Sequence, residues 1–128
     1  MTLDRLFVYG TLRPEASAFH LLAAVVVKQE AAVLVDHALV GEGHRYPWCV
    51  DAPGGEVAGE LLWLRDPEET LAILDEYEGV DGAEPEYRRV IAPVLTREGP
   101  SDAWVYVGGP AAPPGAGPVS GGDWLANR

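Results

Sequence analysis

The sequence predicts an α+β fold that is mostly antiparallel sheet. One segment carries a helix start, an amphipathic stripe and a helix stop, while several others alternate apolar and polar residues between turn residues. Runs of strands interrupted by few helices favour an antiparallel sheet over a parallel one. The chain has 128 residues, of which 48% are hydrophobic, and this is enough for one hydrophobic core and no second core. We therefore expect a single domain over residues 1–128.

Six segments are predicted to form strands. Their apolar residues alternate or form short buried-type runs, and they cover residues 3–9, 31–35, 38–42, 57–63, 87–96 and 103–107. The sequence Glu98-Gly99-Pro100 predicts the turn that joins the last two strands. Pro93 has no backbone N–H to donate to a neighbour, so we expect its strand to lie at a sheet edge or to carry a bulge.

Two helices are predicted. In the first, over residues 17–28, apolar residues recur at helical spacing, namely Ala18, Leu21, Leu22, Val25 and Val26. The second follows Asp66, a candidate N-cap, with Pro67 at the first helical position and Glu69 placed to reach back as in a capping box. Gly79 predicts its end, because glycine readily adopts the left-handed conformation found after helices.

Glu78 is the candidate catalytic residue of the second helix. Leu71, Leu74 and Glu78 follow the i, i+3, i+7 spacing of one helix face. We therefore expect Glu78 to point inward and three other acids to point to solvent, namely Glu68, Asp75 and Glu76. Burial disfavours the charged form of a carboxylate, which would make Glu78 a usable general base or acid near neutral pH. The alternative is that the helix frays at its last turn and that Glu78 is solvated.

A second candidate site follows the first predicted strand. The apolar run over residues 6–9 stops at Gly10, where the missing Cβ permits a positive φ or a close approach to a ligand. Successive backbone N–H groups over residues 9–12 can form an anion-binding nest for a carboxylate or an oxyanion. An ordinary turn would also place one glycine there. The segment has neither the further glycines nor the Lys-Ser/Thr pair of nucleotide-binding loops.

Four segments form a set whose order matches a known family. They are VYGTLRP at 8–14, Arg-Tyr-Pro at 45–47, LDEYEGVDGAEPEYRR at 74–89 and Gly-Gly-Asp-Trp at 121–124. Together they resemble the gamma-glutamylcyclotransferase family, in its AIG2-like and gamma-glutamylamine cyclotransferase branch. The first resembles the substrate-binding loop and the second a further binding segment. The third resembles the catalytic Leu-Asp-x-x-Glu-Gly segment with its following Tyr-x-Arg, and the fourth resembles the closing Gly-Asp-Trp.

The resemblance implies a small mixed, mostly antiparallel β-barrel with flanking helices. It also implies an enzyme that converts a gamma-glutamyl amine or peptide to 5-oxoproline and releases the amine or amino acid, without cofactor or metal. Glu78 would be the catalytic base, and the substrate would be bound by Tyr9, Gly10, Thr11, Leu12, Tyr46 and Tyr87. The alternative is a non-catalytic module on the same fold that binds a small amino-acid-like ligand or a protein partner.

The charge balance argues against two classes of partner. The chain has 9 Lys and Arg against 20 Asp and Glu, which gives a formal net charge of -11. Nucleic acid and anionic membrane surfaces both require a basic surface on the protein. We expect neither as a partner, which leaves the small gamma-glutamyl compound that the resemblance implies.

Other chemistries and other compartments find little support. His20, His37 and His44 have no metal-type spacing with one another or with Cys49. Cys49 is the sole cysteine, so no intrachain disulfide can form. The start of the sequence has no basic stretch followed by an apolar run, and its longest apolar stretch is too short to cross a bilayer. We therefore expect a cytoplasmic protein.

The end of the chain is predicted to be a flexible loop followed by an anchor. Residues 108–122 contain six Gly and four Pro, a composition that does not support regular structure. Residues 123–128 include Trp124, a large apolar side chain that is seldom left in solvent. We expect Trp124 to dock on the barrel, although a disordered tail is the alternative.

Overall fold

The computed structural model describes residues 3–10, 19–41, 47–80 and 87–108. Within these ranges one helix, α1, covers Pro67–Glu78. Five strands form a closed barrel, and they are β1 Arg5–Val8, β2 Val26–Val40, β3 Trp48–Leu64, β4 Tyr87–Thr96 and β5 Gly99–Gly108. Their order around the barrel is β1, β3, β2, β4, β5, and every pairing is antiparallel except that of β1 with β5. The predicted α+β class and its mixed, mostly antiparallel barrel are confirmed.

Strand β1 divides its side chains between two hydrophobic cores. Phe7 belongs to the core inside the barrel, together with residues of the other four strands such as Leu34, Leu61, Val94 and Val105. Leu6 and Val8 belong to a second core on the outer face, where α1 contributes Leu71 and Leu74. Successive side chains of a strand point to opposite faces, so one short strand can supply both the barrel interior and the surface that α1 covers.

The first predicted helix is wrong over the described residues 19–28. Phe19–Leu21 forms a single 3-10 turn, and β2 already begins at Val26. Three consecutive valines at 25–27 favour a strand, because β-branched side chains lose rotamer freedom in a helix. Pairing of β2 with β3 begins at Val26 and decides the conformation from there, while the backbone of the residues before it is bonded within turns. Residues 17 and 18 lie outside the described ranges.

Two predicted strands, over residues 31–35 and 38–42, are parts of the single strand β2, which ends at Val40. The interruption is local. Asp36 has a φ of 58°, a left-handed conformation that Asp tolerates better than most residues. Its Oδ1 accepts a hydrogen bond of 3.0 Å from the backbone N–H of Gly54. Pairing of β2 with β3 resumes at His37 and Asp51, and β3 extends well beyond the predicted residues 57–63.

The second predicted helix is confirmed as α1. Pro67 lies in its first turn, and Gly79 ends it with a φ of 72°. The capping box is wrong, because Asp66 is itself left-handed with a φ of 49° and its side chain makes no capping hydrogen bond. Thr70 secures the first turn instead, with its N–H donating to the carbonyl of Asp66 and its hydroxyl donating to that of Arg65. In the part of the chain that the structure describes, no helix is long and apolar enough to cross a membrane.

The strand that contains Pro93 is neither an edge strand nor bulged at that residue. It has the predicted bounds, and its pairing with β5 runs without a shift. On its other side β4 pairs with β2 through Val94 and Leu95. Pro93 lies directly beyond this short contact and pairs with no residue of β2, a strand that the structure describes in full. Its missing N–H therefore removes no hydrogen bond from that pairing.

Gly59 of β3 lies against β1 with no room for a side chain. A Cβ at this position would be 2.2 Å from the carbonyl oxygen of Val8 and 2.7 Å from the ring of Phe7. A backbone oxygen cannot move aside without shifting the strand, so Gly59→Ala should lower the free energy of unfolding by about 3 kcal/mol or more. Urea unfolding measures the loss.

The control is Gly54→Ala, where an added Cβ meets nothing within 4 Å and only the φ of 81° is strained. That strain should cost about 1 kcal/mol. Equal losses in the two variants would show that the contact with β1 does not determine the requirement for glycine at residue 59.

Candidate functional site

The structure describes part of the predicted site. Tyr9 and Tyr87 are buried, and Gly10 is partly exposed. Glu78 is the last residue of α1 and is half-buried, so the fully frayed alternative does not apply to this helix. The other predicted substrate-binding residues lie outside the described ranges, and they are Thr11, Leu12 and Tyr46.

The hydroxyl of Tyr9 is bound within the barrel. It donates a hydrogen bond to the backbone carbonyl of Tyr106 on β5. It also accepts one of 3.3 Å from the backbone N–H of Cys49 on β3. A phenol has one proton to donate, and that proton is already used. The side chain of Tyr9 therefore joins three strands, and any contact of this residue with a substrate is expected from its backbone.

Glu78 is among the groups that raise the pKa of Tyr9 and Tyr106. Burial is the main cause of the raised pKa of Tyr9, and the nearby groups of Cys49, Tyr87 and Glu78 raise it further. Burial and the hydrogen bond to Asp75 also raise the pKa of Tyr106, and Glu78 adds to that shift. Glu78 also follows Asp75 by three residues on α1, and the carboxylate of Asp75 is bound to the hydroxyl of Tyr106 on β5.

Pro47 connects three of the motif segments. Its carbonyl accepts a hydrogen bond of 2.7 Å from the hydroxyl of Tyr87. The ring of Tyr87 stacks on Trp48, with 6.1 Å between the ring centroids. A Cβ added to Gly10 would lie 3.1 Å from two carbons of the Pro47 ring. Pro47 is therefore bound directly to Tyr87 and lies beside Gly10.

Two reasons for a glycine at residue 10 were considered, a positive φ and a close approach to a ligand. The first is wrong, because Gly10 does not have a left-handed backbone. It is absent from the glycines with positive φ in the described residues, which are Gly41, Gly54, Gly79 and Gly99. The structure gives a packing reason instead, because a side chain at Gly10 would press on Pro47. A close approach to a ligand stays a prediction.

Asp75 was expected to face solvent, and this expectation is wrong. Its two carboxylate oxygens accept hydrogen bonds of 2.8 Å and 2.9 Å from Arg89 on β4, and Tyr106 donates a third of 2.7 Å. Its side chain is 14% exposed. The signal was present in the sequence. The inner face of α1 follows i, i+3, i+4 and i+7 from Leu71, and this pattern includes Asp75 as well as Glu78.

The environment of Asp75 keeps it ionised. Burial on its own would raise the pKa of this carboxyl, but the hydrogen bonds from Arg89 and Tyr106 and the charge of Arg89 outweigh burial and hold the pKa below its usual value. The guanidinium of Arg89 lies 4.2 Å from the ring centroid of Trp104. The indole N–H of Trp104 in turn donates to the carbonyl of Leu3 at 3.0 Å. These contacts join α1, β4, β5 and the residues before β1.

The closed barrel carries α1 on its outer face and brings three of the motif segments together. The chain belongs to the gamma-glutamyl cyclotransferase, AIG2-like family, whose sequence model matches residues 6–126. The resemblance found in the sequence is thereby confirmed. Comparison with curated proteins gave no match.

Several solved structures share the fold. The chain is 27% identical to YkqA from Bacillus subtilis with a TM-score of 0.74, and the alignment covers 96% of this chain but 40% of YkqA. It is 25% identical to a structure described as gamma-glutamyl cyclotransferase, with a TM-score of 0.65 and coverage of 81% and 65%. An AIG2-like protein from Mus musculus is 22% identical, with a TM-score of 0.69 and coverage of 88% and 80%. At that identity the likeness shows the fold alone.

A double-mutant cycle tests the contact between Gly10 and Pro47. Gly10→Val should lower the melting temperature, because the new side chain must displace the Pro47 ring, at a cost of about 1 to 3 kcal/mol. Pro47→Ala in the same chain should recover part of that loss, since it removes the two ring carbons that the side chain would meet. Additive losses in the double variant would contradict a direct contact.

The barrel should lose stability in alkali. Burial holds the pKa of Tyr9, Tyr106 and Cys49 above their ordinary values, so the folded protein keeps protons that the unfolded chain has already released. Their contribution to stability is complete below about pH 8.5, where an unfolded Cys begins to ionise, and declines as the pH rises. Urea unfolding from about pH 7 to pH 11 should show this decline.

The matched variant for this titration is Cys49→Ala. It should delay the start of the decline to about pH 10, where tyrosines of the unfolded chain ionise. A pH dependence identical to that of the parent would show that the thiol of Cys49 does not contribute.

Proposed function

We propose that this protein is an enzyme that cyclises the gamma-glutamyl group of a small substrate to 5-oxoproline. The free α-amine of the glutamyl group attacks its own γ-carbonyl carbon. A new C–N bond closes the five-membered ring, and the amide C–N bond to the attached group breaks. The leaving nitrogen takes up a proton and departs as an amine or amino acid, so no external oxidant, reductant or cofactor is needed.

One observation supports this proposal beyond family membership. The half-buried carboxylate of Glu78 ends α1, three residues after Asp75, whose side chain is bound to the hydroxyl of Tyr106. The carbonyl of Tyr106 in turn accepts a hydrogen bond from Tyr9, the residue after β1. We infer that the candidate base and the turn after β1 share one region of the protein. A single small substrate fits such an arrangement, because it must meet a base at its amine and hydrogen-bond donors at its carboxylate or carbonyl oxygen.

Glu78 is proposed to move the protons of the reaction. The substrate amine is protonated near neutral pH and cannot attack until a base removes one proton. Glu78 would accept that proton and later return it to the leaving nitrogen. The ring nitrogen loses a second proton to solvent after the attack, so that 5-oxoproline keeps one N–H. Because nucleophile and carbonyl belong to one molecule, the protein needs chiefly to hold the folded conformer.

The backbone N–H groups over residues 9–12 are proposed to bind an anion of the reacting substrate. They would bind either the α-carboxylate or the oxyanion that forms on the γ-carbonyl oxygen. Tyr9 suits a backbone role because its hydroxyl proton is already bound to the carbonyl of Tyr106. Tyr87 would act by holding Pro47, to which its hydroxyl is bound, rather than by donating that proton to the substrate. Thr11, Leu12 and Tyr46 stay predictions of the binding site.

A panel of gamma-glutamyl compounds tests the reaction itself. It should include glutathione, gamma-glutamyl amino acids, gamma-glutamyl amines and a gamma-glutamyl lysine isopeptide. Mass spectrometry should detect 5-oxoproline with at least one of them, together with an equal amount of the released amine. The compound that is turned over would identify the attached group. Absence of 5-oxoproline with the whole panel would contradict the proposed function.

Glu78→Gln separates a proton-transfer role from a binding role. The amide keeps the size of the side chain but cannot accept the proton, so kcat should fall by roughly 10²- to 10⁴-fold while ligand affinity changes much less. The control is Glu76→Gln, which makes the same charge change on the same turn at an exposed residue and should leave kcat close to that of the parent.

One outcome would count directly against Glu78 as the base. Turnover by Glu78→Gln at nearly the parent rate would exclude its role in proton transfer. Loss of activity that accompanies unfolding, detected as a lowered melting temperature, would not distinguish catalysis from stability, so near-UV circular dichroism and ligand binding are measured on the same sample. A parent protein that binds gamma-glutamyl compounds without releasing 5-oxoproline would favour the non-catalytic module.

A further inference from the structure

We propose that the ion pair between Asp75 and Arg89 positions Glu78 and sets the pH at which its carboxyl group gains a proton. For its effect on turnover, this inference rests on the function proposed above. The effect of the pair on the charge of Glu78 concerns the folded protein alone and is testable without any reaction.

Asp75 fixes the last turn of α1 through both its backbone and its side chain. Its carbonyl oxygen accepts a hydrogen bond of 3.0 Å from the N–H of Val80, which closes the end of the helix. Its carboxylate is held by Arg89 and by the hydroxyl of Tyr106. Residues three apart are neighbours on one face of a helix. Fixing Asp75 to the barrel therefore fixes the direction in which Glu78 leaves the helix.

Arg89 is itself held in place, so it forms a firm anchor for the helix. Its side chain is 22% exposed, and its guanidinium is stacked on Trp104, whose indole N–H is bound to the carbonyl of Leu3. The two hydrogen bonds to Asp75 use the fork geometry that distinguishes arginine from lysine. A simple surface ion pair would leave both side chains free to move, whereas this pair has contacts on both partners.

The pair also controls the charge near Glu78. Titratable groups approach this region from every described element packed there, and they are Tyr9 directly after β1, Cys49 of β3, Asp75 of α1, Tyr87 and Arg89 of β4 and Tyr106 of β5. Near neutral pH the phenols and the thiol are uncharged. Asp75 and Arg89 then largely cancel each other's field, and removal of either one exposes the charge of the other to Glu78.

Two single variants should therefore shift the titration of Glu78 in opposite directions. Asp75→Asn leaves the positive charge of Arg89, which favours the carboxylate and should lower the titration midpoint. Arg89→Gln leaves the negative charge of Asp75 and should raise the midpoint. Each shift should be roughly 0.3 to 1 pH unit at low ionic strength. The readout is the side-chain carboxyl ¹³C resonance of Glu78, assigned by its loss in Glu78→Gln.

Controls with the same charge changes distinguish the pair from net charge. Glu76→Gln matches Asp75→Asn, and Arg88→Gln matches Arg89→Gln, because each control residue is the sequence neighbour and is exposed. Both controls should leave the midpoint of Glu78 within about 0.2 pH unit. The double variant Asp75→Asn/Arg89→Gln removes both charges and should return the midpoint to near that of the parent.

Turnover provides the test of positioning. Arg89→Lys keeps the charge but loses the fork, so it should leave the midpoint of Glu78 nearly unchanged and lower kcat by roughly 3- to 30-fold. KM should change less than kcat. Arg89→Lys also provides a test if Asp75→Asn or Arg89→Gln does not fold. A kcat equal to that of the parent in a folded Arg89→Lys protein would overturn the positioning role.

Failure of the proposed reaction and failure of the charge-setting role of the ion pair give different results. If the parent releases no 5-oxoproline, the proposed reaction fails, while opposite shifts of the Glu78 midpoint would still support the pair. Midpoints that are unchanged in both single variants, or that move in the same direction, would overturn the charge-setting role even in an active enzyme.

Discussion

The structure depends on the closure of the barrel through β1, a strand of four residues. It pairs antiparallel with β3 on one side and parallel with β5 on the other, so it connects parts of the chain that are far apart in sequence. The Tyr9 hydroxyl strengthens this closure, because its two hydrogen bonds reach β3 and β5 at the end of β1. Buried polar groups are costly unless they are bonded, and here each of these groups has a partner. Gly59 permits the closure by letting β3 approach the backbone of β1.

Closure of the barrel determines where the charged groups of the site lie. Alternation along β1 places Phe7 inside and Leu6 outside, and the outer face then receives α1. Docking of α1 brings Asp75 to Arg89 and leaves Glu78 half-buried. The apolar packing of α1 and the ionic contact of its last turn therefore act on the same helix face.

The sequence predicted much of the fold but not the pairing of its strands. Turn residues and alternation gave the bounds of β4, and helix start and stop residues gave the existence of α1, because these signals are local. Residues 17–28 were predicted as a helix because their apolar spacing is helical, but β2 begins at Val26 because β3 provides a partner. Asp36 interrupts β2 without ending it, because pairing with β3 resumes at His37 and Asp51, and no local pattern predicts that partner.

For the site, the sequence by itself determined the family, the candidate base Glu78 and the segments around Gly10 and Tyr87, since these are carried by short motifs. The tertiary structure decided which partners those residues have. It bound the hydroxyl of Tyr9 within the barrel, set Pro47 between Gly10 and Tyr87, and turned Asp75 onto Arg89. Helical spacing can place a carboxylate on an inner face, but the cation that meets it belongs to a strand whose position is fixed by barrel closure. Side-chain pairing across elements is therefore decided by packing in three dimensions, where local sequence patterns carry little information.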